Sequence, residues 1–323
     1  MSASPRKLES LTVVVPGLNE IDNLPKLYED LTHTLGQGEW KLEILFVDDG
    51  STDGTLEACR QLNAKDPRFQ YISLSRNFGH QKAVTAGLDL AWSQAVVVMD
   101  ADLQDPPDVV IEMIKVWSEG ADVVYGRRRI RKGDSFLKKA TAKAFYRLLQ
   151  FMSGTPIPVD TGDFRLMDRR VVEQLRIMRE QGRYIRGMVS WVGFIQRPVI
   201  YDRPPRHKGE SKYPYFRQIR LAWEGISAFS TWPLRMATMV GIFFSMVAFG
   251  MAVYYALRKI LINDFDPGWA SIMVSIFAVG GAQLFFIGVV GEYIAKTFEE
   301  IKKRPLYIIR ETSGNAEKRP GSA

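Results

Sequence analysis

From Leu11 to about Gly126, short apolar runs alternate with segments of helical spacing. Residues 11–16, 42–48, 69–74, 95–100 and 123–126 are short and rich in Val, Ile, Leu and Phe, which predicts strands. Residues 24–34, 55–64 and 82–91 space their apolar positions as helices do, and 108–117 follows the pair Pro106 and Pro107, which suits the first turn of a helix. This alternation predicts an α/β fold, a mainly parallel sheet with helices on both faces. Further on the pattern changes. Residues 236–257 and 269–291 run for 22 and 23 positions without a charge, long enough for two transmembrane helices, and apolar side chains occupy all their faces rather than a stripe.

Charge sharpens the topology. Lys212, Arg217, Arg220 and Arg235 precede the first apolar run, and Lys296, Lys302, Lys303, Arg304 and Arg310 follow the second. Between them stand Arg258 and Lys259, offset by Asp264 and Asp266. The positive-inside rule then sets both termini in the cytoplasm, on an inner membrane crossed twice. No secretory signal opens the chain, since the run at 11–15 is too short and sits in a strand pattern. The expected division is a catalytic domain over 1–230, two spans within 231–294, and a cytoplasmic tail over 295–323, polar and irregular from Glu311 onward. Residues 136–152 and 213–229 mix basic and apolar or aromatic positions and are expected to lie as helices in the headgroup region. The net charge of +7 accompanies no nucleic-acid motif, so the expected partner is the lipid bilayer. A single cysteine, Cys59, excludes an internal disulfide.

Polar motifs fall at the carboxyl ends of the predicted strands, where such sheets bind ligands. Asn19 and Glu20 follow the first, Asp48 and Asp49 the second, Arg76 and Asn77 the third, and Arg127 to Arg129 the fifth. After the fourth come Asp100, Asp102 and Gln104. If the strand continues through Gln104, these three share one face, and two carboxylates with an amide oxygen suit Mg²⁺ or Mn²⁺ held jointly with a substrate's phosphates. A plain helix cap reads the same three residues without any metal. An extended chain cannot turn Arg127, Arg128 and Arg129 all into one pocket, so Arg127 is expected to point in and Arg128 to be solvated. Of the three histidines, His33 is expected to be structural or to face solvent, while His80 and His207 sit beside candidate ligand sites; no His or Cys cluster has zinc spacing.

The ordered set Val13-Val-Val-Pro-Gly-Leu-Asn-Glu20, Val47-Asp-Asp-Gly-Ser-Thr-Asp53, Leu74-Ser-Arg-Asn-Phe-Gly79, Asp100-Ala-Asp-Leu-Gln-Asp-Pro-Pro107, Thr161-Gly-Asp-Phe-Arg-Leu-Met167 and Gly209-Glu-Ser-Lys-Tyr213 resembles family 2 glycosyltransferases that act on polyprenyl phosphates. The paired C-terminal apolar runs resemble the bactoprenol glucosyltransferase branch most. The resemblance implies a GT-A (Rossmann-like) domain that transfers one sugar, with inversion, from a nucleotide sugar, UDP-linked by preference, to polyprenyl (undecaprenyl) phosphate. Carried onto this sequence, it implies that Asp100, Asp102 and Gln104 bind the metal and donor diphosphate. Pro16, Asn19, Glu20, Asp48, Asp49 and Lys82 would line the donor site, with Asp49 toward the base. Arg127 would meet phosphate, Asp163 would sit at the acceptor side as the proposed base, and Arg206, Lys208, Ser211 and Lys212 would close over phosphates.

A phosphate acceptor changes what Asp163 is needed for. Its second pKa lies near 6, so it is largely dianionic at neutral pH and leaves a base little to do; Asp163 is expected mainly to position the acceptor. Two rivals remain at this stage. A processive polysaccharide synthase would carry a Gln-x-x-Arg-Trp signature, which Gln181-Gly-Arg-Tyr184 does not match. A transporter of the lipid-linked sugar would need more than two helices and more interior polar groups than Gln283. Gly280, Gly281, Gly288 and Gly291 suggest close helix contact and with it a homo-oligomer.

Overall fold

The computed structural model describes residues 6–129, 161–202, 232–261 and 268–313. These residues divide into two compact units, one holding 6–129, 161–202 and 305–313, the other 232–261 and 268–304.

The first unit is built on one eight-stranded sheet. Its strands are β1 (Ser10–Gly17), β2 (Lys41–Asp48), β3 (Phe69–Leu74), β4 (Ala95–Val98), β5 (Val123–Arg128), β6 (Thr161–Asp168), β7 (Gln196–Tyr201) and β8 (Ile309–Thr312), in the spatial order β7-β5-β6-β4-β1-β2-β3-β8. Strand β6 is antiparallel to β4 and β5, and β8 is antiparallel to β3; every other pairing is parallel. The sheet is therefore mixed, with β6 and β8 against the direction of the other six.

Burial on both faces explains the continuous apolar runs of β1 and β4. Leu11, Val13 and Val15 join one core with Leu24, Leu27 and Leu31 of α1 (Leu24–Leu35), Cys59 of α2 (Thr55–Lys65), and Val110, Met113 and Trp117 of α4 (Pro107–Ser118). On the opposite face Val14 meets α3 (His80–Leu90) so closely that a Cβ at Gly87 would lie 2.2 Å from its Cγ1. Two shorter helices, α5 (Arg169–Ile177) and α6 (Ile185–Trp191), complete this unit. The five expected strands and four expected helices all form. β6 escapes the apolar reading because buried Asp163, Arg165 and Asp168 break up what would otherwise be an apolar run.

The tail departs from expectation. Glu311 and Thr312 are not irregular but complete a strand, Ile309–Thr312, on the β3 edge: Glu311 accepts from Tyr71 Oη at 2.7 Å, and Ser313 Oγ donates to Gln70 Oε1 at 2.6 Å. Tyr307 Oη also donates to buried Asp89 on α3 at 2.8 Å.

The second unit is a pair of helices, α7 (Trp232–Leu261) and α8 (Trp269–Ile301), which contact each other. Among the described residues one helix is long and apolar enough to cross a membrane, with its span at Leu234–Met251, none of it buried in the chain. A Cβ added at Gly280, Gly281, Gly288 or Gly291 meets open space. Among the described residues these glycines therefore mediate no tight contact. The expected interfacial helices at 136–152 and 213–229 lie outside the described residues.

Candidate active site

The loops after β1, β2 and β3 are fastened to one another by side-chain oxygens. Asn19, at φ +59°, accepts from Thr52 N through Oδ1 (2.8 Å), and its own N–H donates to Ser51 Oγ (2.9 Å). Glu20 N donates to Thr55 Oγ1 at 3.0 Å, and Glu20 Oε2 accepts from Asn23 Nδ2 at 2.6 Å. Asp48 is buried and accepts from Ser51 N (3.0 Å) and Ser73 Oγ (2.8 Å). Its neighbour Asp49 is buried as well, and its two oxygens accept from the amides of Phe78 (2.8 Å) and Gly79 (2.9 Å). Burial raises the Asp49 pKa, against the opposing pull of those two amides.

The Asp49 clamp fixes where α3 begins. Gly79, at φ +95°, turns the chain into the helix, and His80 follows with Nε2 3.1 Å from Asp163 Oδ2 and 3.7 Å from Asp100 Oδ1. Gln81 Nε2 donates to Asp163 Oδ2 at 3.2 Å, while its Oε1 accepts from Ile185 N at 2.8 Å. From α6, Arg186 completes the ring around Asp163 with Nε at 2.8 Å and a second guanidinium nitrogen at 3.2 Å. Burial alone would raise the pKa of Asp163, but the His80 hydrogen bond and the Arg186 charge outweigh it and hold the carboxyl far below its usual range. Burial opposes charge on His80, yet Asp163 and Asp100 prevail and its pKa is raised. Arg165, buried two residues along β6, donates to Gly162 O at 2.9 Å; burial lowers its pKa to about 10.

The carboxylate turn does not follow strand geometry. Strand β4 ends at Val98 and Leu103 adopts φ +59°, so Asp100, Asp102 and Gln104 lie in a turn and the same-face argument from alternation fails. What shapes the turn is local: Asp102 Oδ1 accepts from Gln104 N (3.2 Å), Asp105 Oδ2 accepts from Asp100 N (3.5 Å), and Tyr201 Oη donates to Asp105 Oδ1 (2.8 Å). Gln104 and Asp105 are buried, whereas Asp100 and Asp102 are half-exposed.

Comparison with known proteins gives two matches that divide the chain as the structure does. Residues 12–176 match Glycosyl transferase family 2, and residues 232–297 match the GtrB C-terminal hairpin. The chain belongs to glycosyl transferase family 2. It is 44% identical over 308 residues, 95% of each chain, to the uncharacterized glycosyltransferase YkcC of Bacillus subtilis (strain 168). It is 40% identical to a prophage bactoprenol glucosyl transferase homolog of Escherichia coli (strain K12), covering 93% of this chain and 98% of that one. The bactoprenol glucosyl transferase of Shigella phage SfII is 39% identical, covering 94% and 98%.

In this transferase the sequence-predicted residues separate into those the fold gathers and those it leaves apart. Asp100 and Asp163, 63 positions apart in the chain, meet on His80. Asn19, Glu20, Asp48 and Asp49 are bound into the loop framework, and the Asp49 oxygens point at loop amides. Pro16 is buried in β1, and Lys82 is half-exposed on the first turn of α3. The arginine expectation is corrected at Arg128. Arg127 is exposed on β5, while Arg128 is half-buried, with its Nε shut off from solvent, because successive residues of a strand face opposite ways. Arg206, Lys208, Ser211 and Lys212 lie outside the described residues. Gln81, Arg186, Asp105 and Tyr201 were missed, and the missed signal was Arg186 itself, a charge set among the apolar positions of Ile185 to Val189.

Proposed function

We propose that this family 2 transferase moves a single sugar, glucose from UDP-glucose, onto polyprenyl (undecaprenyl) phosphate, with inversion, at the cytoplasmic face of the membrane. The observation that carries the reading is the approach of Asp100 and Asp163 to one imidazole at the carboxyl ends of the strands. Near-full-length similarity to bactoprenol glucosyl transferases, including the C-terminal hairpin, supports the acceptor.

Asp100 and Asp102 are the pair that would hold a divalent ion. Among the described residues no group of three or more His, Cys, Asp or Glu forms a closed metal cluster, but a hard cation such as Mg²⁺ needs only one or two carboxylates when substrate phosphates and water complete its shell. Two half-exposed carboxylates in a turn fit that requirement. The ion supplies electrostatic stabilisation of the departing diphosphate. Tyr201 and Asp105 brace the turn from behind, and Arg127, exposed on β5, would meet phosphate only from the solvent side. Asp163, ionised and enclosed by Arg186, His80 and Gln81, orients the acceptor side rather than taking a proton from an acceptor already ionised at neutral pH.

Strand β8 supports two crossings. It pairs with β3 in the catalytic sheet, so a single crossing by α7 would leave residues 309–312 on the wrong side of the bilayer. This supports crossing by the helices as a pair. The basic residues flanking both helices support a cytoplasmic catalytic domain.

The test is purified protein in liposomes with undecaprenyl phosphate and a panel of radiolabelled nucleotide sugars. The reading expects one sugar per lipid, highest with UDP-glucose, and loss of transfer on chelation. Polymer would indicate a synthase, and translocation without transfer would indicate a transporter.

A further inference from the structure

His80 stands where two chains of fixed geometry meet. In the antiparallel pairing of β4 with β6 the register ends with Val98 facing Arg165, and Asp100 lies beyond it, in the turn that follows β4. Two carboxylates that approach one ring nitrogen repel each other. The His80 imidazole touches both, at 3.7 and 3.1 Å. Its own place is set from behind: Asp49 holds the Gly79 amide at 2.9 Å, and the next residue, Gln81, is bonded to both Asp163 and Ile185. Asp163 is thus anchored in a buried frame, whereas Asp100 lies in a turn with its side chain 32% exposed.

We propose that His80 is a positioning residue that holds the donor-side Asp100 and the acceptor-side Asp163 at a fixed spacing, so that the sugar passes between aligned groups. This rests on reading the site as a sugar-transfer centre. Arg186 neutralises Asp163 from the α6 side, and His80 links Asp163 to the carboxylate turn. Without it, donor and acceptor still bind, and alignment is what suffers; misplacement by about 1 Å can cost on the order of a hundredfold in rate.

The experiment uses the full chain in liposomes with UDP-glucose, undecaprenyl phosphate and Mg²⁺. His80→Ala is expected to lower kcat at least about tenfold, to leave KM for the nucleotide sugar within about threefold, and to raise the share of sugar released to water over sugar transferred. His80→Gln, whose amide still carries an N–H donor, is expected to recover much of that loss. A second arm needs no turnover. His80→Ala should lower Tm by about 2 °C or more, and Asp100→Asn should suppress part of that drop, since it removes the repulsion that His80 offsets while the contact with Asp163 is lost in either background. Parental kcat and parental water release in His80→Ala, or additive Tm shifts, would overturn the proposal. A parent that transfers no sugar while the Tm shifts remain coupled refutes the transfer reading and upholds the bridge.

Discussion

Arg60 on α2 and Glu311 on β8 stand 251 positions apart, yet the guanidinium meets the carboxylate through two hydrogen bonds of 2.8 and 2.6 Å. The contact fastens the segment that follows α8 to the edge of the catalytic sheet. Arg60 and Tyr71 pull the Glu311 pKa down to about 2, from an ordinary value of about 4.3. A depressed carboxylate stabilises the fold above its unfolded pKa and loses that contribution as pH falls through the folded value. Glu311→Gln is expected to cost about 1 kcal/mol or less at pH 7, as suits a part-exposed pair, and to speed proteolysis within residues 304–313. The difference in Tm between variant and parent should shrink as pH drops from about 4 toward about 2.

Asp163→Asn preserves volume but leaves Arg186, Arg165 and His80 around a neutral amide. Removing one partner of a buried pair costs about 3 kcal/mol, and the loss should appear above about pH 4, because the folded pKa lies below the ordinary aspartate value. Transfer should fall by a factor that stays constant from about pH 6 to 9. A deficit that disappears as pH rises past the acceptor's second pKa, near 6, would instead assign Asp163 a base role.

Gly50→Ala tests the loop framework. Gly50 has φ +77°, and an added Cβ would lie 2.6 Å from the backbone carbon of Arg76. Strain and overpacking together should cost about 2 kcal/mol. The shift would reach the loop that Asp49 clamps. Weaker binding of UDP, measured by calorimetry, is the expected functional consequence.

Asp102→Asn leaves the Asx-type bond to Gln104 N available, since an amide oxygen can replace the carboxylate oxygen there. Stability should therefore change by less than about 0.5 kcal/mol, while transfer falls at least about a hundredfold. Chelation should silence the parent and Mg²⁺ or Mn²⁺ restore it. A variant that transfers sugar at the parental rate would remove Asp102 from the donor site.

Strands β1 to β5 and helices α1 to α4 were legible because a strand buried on both faces reads as an unbroken apolar run and a helix as a spaced one. β6 was legible only as a motif, since buried Asp163, Arg165 and Asp168 have partners that no local pattern reveals. β8 was invisible for a related reason: Ile309-Arg-Glu-Thr312 pairs at an edge, where its polarity is satisfied by Arg60 and Tyr71. The Asp100 turn was found for a reason that failed, strand alternation, which stops at Val98.

The sequence by itself determined the class of fold, the set of polar motifs at strand ends and the two apolar helices, because periodicity and composition are local properties of a chain. Only the tertiary structure decided that Asp100 meets Asp163 through His80, that Arg128 rather than Arg127 turns inward, and that the chain after α8 returns to the sheet. Each of those depends on which distant segments the packed core brings together, and that is set across the whole core rather than by neighbours along the chain.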